Sequence, residues 1–258
     1  MLRSMKNSRH TPRLFLVLAL FASVSFLART SSSAEPDEPR MGSPYALNWK
    51  YDVPVYGLAV AATMAGFIGY RAASCDVPCA PPPGLPGIDR GSVGNYSRSA
   101  HATANVLVLG LALAPFVLDA ADSRFRGWFE DSAVMLEALL VTQGATQVTK
   151  SAVRRNAPLV YNAGAAPDDL ESADAGRSFF SGHTSTSFAM ATAYSVTFWK
   201  RHPGSPWRFV VLGVSQSLAA AVAMLKVRAG YHYPTDVIAG AVVGTSVGLL
   251  VPMVHSEW

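Results

Sequence analysis

The chain has 258 residues, 50% of them hydrophobic and 15% charged, which is enough apolar side chain to bury a large core and too much for a disordered tail or linker. Its formal charge of +4 resides in the N-terminus: residues 1–34 hold five basic and no acidic residues, and without them the net charge is −1. The body of the chain therefore lacks the basic footprint of a nucleic-acid binder.

Taken in order, Arg3, Lys6, Arg9 and Arg13 precede an apolar run over 14–28, and Ser32, Ser33 and Ala34 place small residues where a signal peptidase cuts. The run is shorter than the roughly 20 residues a membrane span needs, so residues 1–34 read as a signal peptide, with an uncleaved anchor helix as the alternative. Residues 35–98 read as a first helix and a Cys/Pro-rich loop, and 99–256 as the core of the protein. Cys75 and Cys79 could close a small disulfide loop in an exported chain or remain two thiols in a Pro-rich turn. A metal site is the weakest reading of the pair, because no second ligand pair accompanies it.

Uncharged stretches of the length a bilayer requires of a helix cover 53–70, 99–118, 178–199, 209–225 and 237–256 when histidines are neutral. The stretch 132–149 has helical apolar spacing but carries Glu137, Gln143 and Gln147. It fits a span with an inward polar stripe or a helix of a soluble bundle, and an intramembrane glutamate is a functional candidate by default. Gly240, Gly244 and Gly248 suit close helix packing in lipid. The pattern is all-α, with six helices after the signal, no strand pattern and no internal repeat; 79–86 and 165–174 are connections or caps.

The loop with Lys200, Arg201 and Arg208 has no acidic residue and is expected in the cytoplasm. Residues 150–181 and the loop before Asp236 then lie on the exported side. Counting back through six spans puts 35–52 in the cytoplasm, at odds with a cleaved signal. Either the signal is an anchor, or one early helix does not span, or the bundle is periplasmic and only membrane-associated.

Three polar clusters fall at helix ends on one inferred face. Ser181, Gly182 and His183 stand where a loop enters an apolar helix, so free backbone N–H groups and the positive helix end meet an incoming anion. Gly182 permits close approach, Ser181 adds a hydroxyl, and His183 can carry a proton to a leaving oxygen. His232 and Asp236, four apart, share one helical face; a carboxylate on one ring nitrogen fixes the tautomer and frees the other as base, nucleophile or ligand. Lys150 can neutralise the oxygens of a transferring phosphoryl group. Each cluster alone is more simply an N-cap, a surface contact or a snorkelling lysine; together they converge on holding and attacking a phosphate.

This combination resembles the type-2 phosphatidic acid phosphatase and vanadium-dependent haloperoxidase superfamily. Its pattern is Lys followed after six residues by Arg-Pro, then Pro-Ser-Gly-His, then Ser-Arg followed after five residues by His and after three more by Asp. Here the matching positions are Lys150 with Ala157 and Pro158, then Phe180 through His183, then Leu225 and Lys226 with His232 and Asp236. The resemblance covers roughly 100–255 and implies a six-helix bundle of that kind, transmembrane, with the helix at 53–70 included. It implies that His232 attacks phosphorus to form a phosphohistidine, Asp236 orients it and His183 protonates the leaving group. Lys150, Ser181, the Gly182 amide and Lys226 would hold the phosphate, with no metal or cofactor.

The chain departs from the pattern at Ala157 and Lys226, where the family has arginines, and at Phe180, where it has proline. A lysine does not restore the two-point recognition of a guanidinium, so Arg155 or Arg228 is expected to reach in from a neighbouring position. The resemblance implies a metal-independent phosphatase at the exported face of a membrane, acting on a lipid phosphate monoester or polyprenyl diphosphate. The alternatives are a noncatalytic phospholipid-binding membrane protein with a degenerate site and a vanadate-dependent haloperoxidase. A transporter would spread its polar residues along a mid-membrane pathway, whereas here they gather at helix ends.

Overall fold

The computed structural model describes residues 42–68, 75, 78–172 and 174–257; the proposed signal segment lies outside them. Eight α-helices occur among these residues: α1 (Trp49–Ile68), α2 (Gly87–Arg90), α3 (Arg98–Ser123), α4 (Trp128–Val153), α5 (Pro167–Leu170), α6 (Gly182–Arg201), α7 (Trp207–Arg228) and α8 (Pro234–Val254). A 3-10 turn spans Pro158–Tyr161, and the one β-type contact among them is an isolated bridge between Tyr45 and Ser256. The architecture is all-α.

Four helices, α1, α3, α7 and α8, are long and apolar enough to cross a bilayer, and the chain is a membrane protein. Leu58, Met64, Met224, Val242, Leu250 and Val254 stay exposed on these helices, as lipid-facing positions do. Helices α4 and α6, which cover 132–149 and, from Gly182 on, the stretch 178–199, are not among the four. The reason for α6 is its content: Thr184, Ser185, Thr186, Ser187, Ser195 and Thr197 are all buried in it.

Those hydroxyls are what a central helix can use. Helix α6 packs against α3, α4, α7 and α8 and hydrogen-bonds sideways to its neighbours: Thr186 with Gln143 at 2.8 Å, Ser185 with Thr146 at 3.1 Å, Ser195 with Ser215 at 3.1 Å and Thr192 with Gln216 at 3.0 Å. Interhelical polar contacts of this sort hold bundles together where the surroundings are as apolar as the core. The apolar remainder of the core is built from Leu111, Met135, Met190, Tyr194, Phe198 and Val222 with smaller neighbours.

Helices α6 and α8 approach each other backbone to backbone. A β-carbon on Gly240 would lie 2.8 Å from the Ser181 carbonyl oxygen, and one on Gly244 or Gly248 would collide with the carbonyl of Ser185 or Ala189. Three glycines at every fourth position thus let the two helices touch, as the small-residue pattern of α8 predicts.

Helix α3 is capped by Ser97, whose side chain accepts from the Ala100 amide at 3.3 Å, and α6 by Ser181, whose oxygen accepts from the Thr184 amide at 3.3 Å. At the far end of the bundle, Arg201 is 2% exposed and pairs with Asp131 and, at 3.5 Å, with Asp119. This corrects its placement in a loop without acidic company: its partners come from α3 and α4, a pairing a linear charge count does not reveal. Cys75 and Cys79 are joined in a disulfide.

Candidate active site

The three polar clusters meet at one end of the bundle, where α4 and α7 finish and α3, α6 and α8 begin. Lys150 lies in the last turn of α4, Ser181 to His183 open α6, Lys226 lies in the last turn of α7, and His232 lies in the turn that leads to Asp236 in α8. Gly230 makes that turn possible: it has φ +82°, and a β-carbon there would strike the Asn95 carbonyl.

His232 is fully buried. Its Nδ1 donates to the Ser178 carbonyl at 2.7 Å, so the neutral ring carries its lone pair on Nε2, a buried atom without a hydrogen-bond partner. Burial lowers the His232 pKa below its ordinary value of 6.5, with the Lys150 charge acting in the same direction and Asp236 opposing it.

Asp236 holds the ring less directly than expected. Its Oδ2 stands 3.8 Å from Nδ1 and accepts the Tyr233 amide at 2.8 Å, while Oδ1 accepts from Arg155 at 2.6 Å. The backbone carbonyl of Ser178 takes the imidazole hydrogen instead. Asp236 thereby fastens the first turn of α8, and the histidine turn with it.

Arg155 is committed elsewhere than the phosphate-binding role expected of it. Its guanidinium bonds Asp89 at 2.7 Å, Asp236 at 2.6 Å and the Thr235 hydroxyl at 2.8 Å and lies over the Tyr233 ring at 3.9 Å. Asp89 also accepts from the Thr235 amide and hydroxyl at 3.0 and 2.6 Å. Arg228 is exposed at the last residue of α7. Ala157 is fully buried, packed with Leu159, Val160, Ala175 and Tyr231.

The positive charge of the site comes from two lysines. Lys150 is 3% exposed and Lys226 fully buried, each far from the usual solvated state of an ammonium. Lys150 donates to Asp174. The Asp174 carboxyl would be raised by burial, but the Lys150 ammonium beside it holds it well below the usual carboxylate range. Lys226 donates to Asn105 Oδ1 at 2.9 Å and to His101 Nδ1 at 3.2 Å. That same Asn105 oxygen lies 2.9 Å from His183 Nε2; since it is an acceptor, the His183 Nε2 carries the hydrogen. Gly182 is where the loop presses on α4: a β-carbon would lie 3.1 Å from Thr146 Cγ2 and 4.0 Å from Lys150 Cε.

Asp174, His101, Asn105 and Asp89 are site residues that the motif reading misses. Ligand atoms of Asp174, His183 and His232 lie within 4.8 Å of one another and could in principle hold a metal. With the Lys150 ammonium on Asp174 and Lys226 sharing the partner of His183, the surroundings favour an anion over a second cation.

Residues 132–258 match the family model of the PAP2 superfamily, and over this segment the chain belongs to that superfamily. A solved structure described as the first transmembrane PAP2-type phosphatidylglycerolphosphate phosphatase, from Bacillus subtilis, is similar at 18% identity and TM-score 0.47, covering 94% of this chain and 95% of that one. Comparison with curated proteins finds no match.

Proposed function

We propose that the chain is a membrane phosphatase that releases phosphate from phosphorylated lipids, phosphate monoesters or polyprenyl diphosphates, through a phosphohistidine on His232. The observation that carries this reading is the His232 ring. Nδ1 is tied to a carbonyl, Nε2 is buried without a partner, and the ring brings a nitrogen within 4.8 Å of ligand atoms of Asp174 and His183, an arrangement in which an imidazole can act as a nucleophile.

In the first step Nε2 forms a bond to phosphorus while the bond to the leaving oxygen breaks, and His183 supplies that oxygen with a proton. Lys150, Lys226 and the amides at the start of α6 balance the charge on the phosphoryl oxygens. Water, giving a proton to His183, then attacks phosphorus, the P–N bond breaks, and inorganic phosphate leaves with His232 and His183 both restored. The phosphate has to compete with Asp174 for Lys150, so binding exchanges one anionic partner for another.

The exported side is the face proposed for the site. The Cys75 sulfur accepts from Asn156 at 3.3 Å, and the Cys79 amide donates to the Val160 carbonyl at 3.0 Å, so the disulfide sits beside the Lys150 end of the bundle. Disulfides persist in oxidising compartments.

Phosphate release by the purified protein in detergent, with and without EDTA, from phosphatidate, a prenyl diphosphate and a soluble monoester tests the proposal beside His232→Ala. Turnover that survives EDTA and vanishes in the variant supports it. Binding of these substrates without turnover assigns the site to lipid-phosphate binding alone.

A further inference from the structure

A second group of titratable side chains lies at the opposite end of the bundle from His232. Asp52 in the first turn of α1, Glu137 in α4 and His255 just past α8 bring one ligand atom each to within 4.8 Å of one another. All three are buried, at 5%, 5% and 8% exposure. His255 Nε2 lies 3.2 Å from Asp52 Oδ1 and 3.6 Å from Glu137 Oε2.

The hydrogen-bond arrangement around them is that of a ligand set. His255 Nδ1 donates to the Val251 carbonyl at 2.8 Å, which leaves the Nε2 lone pair of a neutral ring aimed at the two carboxylates. Second-sphere bonds of this kind fix the tautomer of metal-bound histidines. Asp52 is oriented in turn, its Oδ2 accepting from the Asn48 amide at 2.7 Å. Glu137 Oε2 is buried with no hydrogen-bond partner, a costly state for a carboxylate oxygen unless something positive lies beside it.

We infer that Asp52, Glu137 and His255 form a binding site for a divalent transition-metal ion of the zinc type, structural in role and separate from the catalytic end. Ligands about 2.0–2.1 Å from a tetrahedral zinc stand about 3.3 Å apart, close to the 3.2 and 3.6 Å found here. One imidazole and two carboxylates are a donor set this class of ion accepts. Charge points the same way. A neutral imidazole with two carboxylates carries −2, which a divalent ion cancels, whereas protonating the imidazole leaves −1 inside an apolar bundle. The ion would clamp the start of α1, the middle of α4 and the end of α8. The same region is already closed by the Ala46 amide donating to the His255 carbonyl at 2.9 Å.

The test is metal retention, which is independent of turnover. Full-length protein in detergent is stripped with chelator, loaded with Zn2+, freed of excess by gel filtration and analysed for metal. The expected result is one zinc per chain in the wild type and in His183→Gln, and loss of it in Asp52→Asn, Glu137→Gln and His255→Gln. Loading the wild type with Co2+ should give the visible d–d absorption of a low-coordinate site, with no dependence on any variant folding. Absence of retained zinc from the wild type overturns the inference. So does zinc that survives all three far-end substitutions, or that is lost in His183→Gln alone, which would place the ion at the catalytic end.

Discussion

Replacing Gly240 by alanine probes whether the contact between α6 and α8 positions the chemistry. The new β-carbon would lie 2.8 Å from the Ser181 carbonyl, 3.3 Å from Thr184 Cβ and 3.4 Å from the Ser185 amide nitrogen. Relieving the first contact requires a shift of about half an ångström, applied at the cap of α6 beside His183. Alanine contributes roughly 1 kcal/mol through helix propensity, and overpacking costs about 1–3 kcal/mol, so the variant should lose up to about 2 kcal/mol of stability. Gly213 in α7 has nothing within 4 Å of its added β-carbon and supplies the control, because Gly213→Ala should gain roughly 1 kcal/mol from propensity alone. A 1 Å misplacement can cost on the order of 100-fold in rate, so kcat/KM of Gly240→Ala should fall roughly 10-fold while Gly213→Ala is unchanged. Denaturant unfolding and phosphate release in detergent measure both. If Gly240→Ala is as stable and as active as Gly213→Ala, the α6–α8 contact does not position the site.

Arg155→Met should destabilise the protein by about 3–5 kcal/mol, because it strands the fully buried Asp89 and Asp236 carboxylates; unfolding midpoints beside Arg155→Lys, which should not restore the two-carboxylate geometry, check it. Lys226→Met should lower kcat roughly 100- to 1,000-fold, read by steady-state phosphate release, with a smaller change in stability than Arg155→Met. For His232 the folded pKa is lowered below 6.5, so folding disfavours its protonated form; its contribution is present above pH 6.5 and is lost as pH falls below it. The acid limb of kcat/KM should therefore lie below pH 6.5, and a limb above that value would contradict the burial of His232.

The residues at helix ends were legible in the sequence because spacing along one element, or a tripeptide at its mouth, places side chains without knowledge of the fold. Lys150, Ser181, His183, Lys226 and Asp236 stand at helix ends as that spacing suggests, whereas His232 lies in the turn before α8 and does not share a helical face with Asp236. His101 and Asn105 leave a signal, two polar side chains four apart in the uncharged stretch 99–118, but it acquires meaning only beside Lys226, more than 120 residues away. Asp174 sits in the acidic stretch 165–174, which reads as a connection or cap, and the four-residue helix around Asp89 has no periodicity to detect. The position of Arg155 near Ala157 suggests a substitute for a missing arginine, yet two buried carboxylates from α2 and α8 claim its guanidinium. Glu137 stands out as an intramembrane acid, while its partners Asp52 and His255 come from the first described helix and from the residue just past the last.

The central claim is that His232 Nε2 becomes bonded to phosphorus, and it is tested most directly by quenching the enzyme during turnover of phosphate-labelled phosphatidate and locating the label. The account predicts alkali-stable, acid-labile phosphate on the peptide containing His232 and none in His232→Ala. Label on another residue, or turnover by His232→Ala at the wild-type rate, would contradict it.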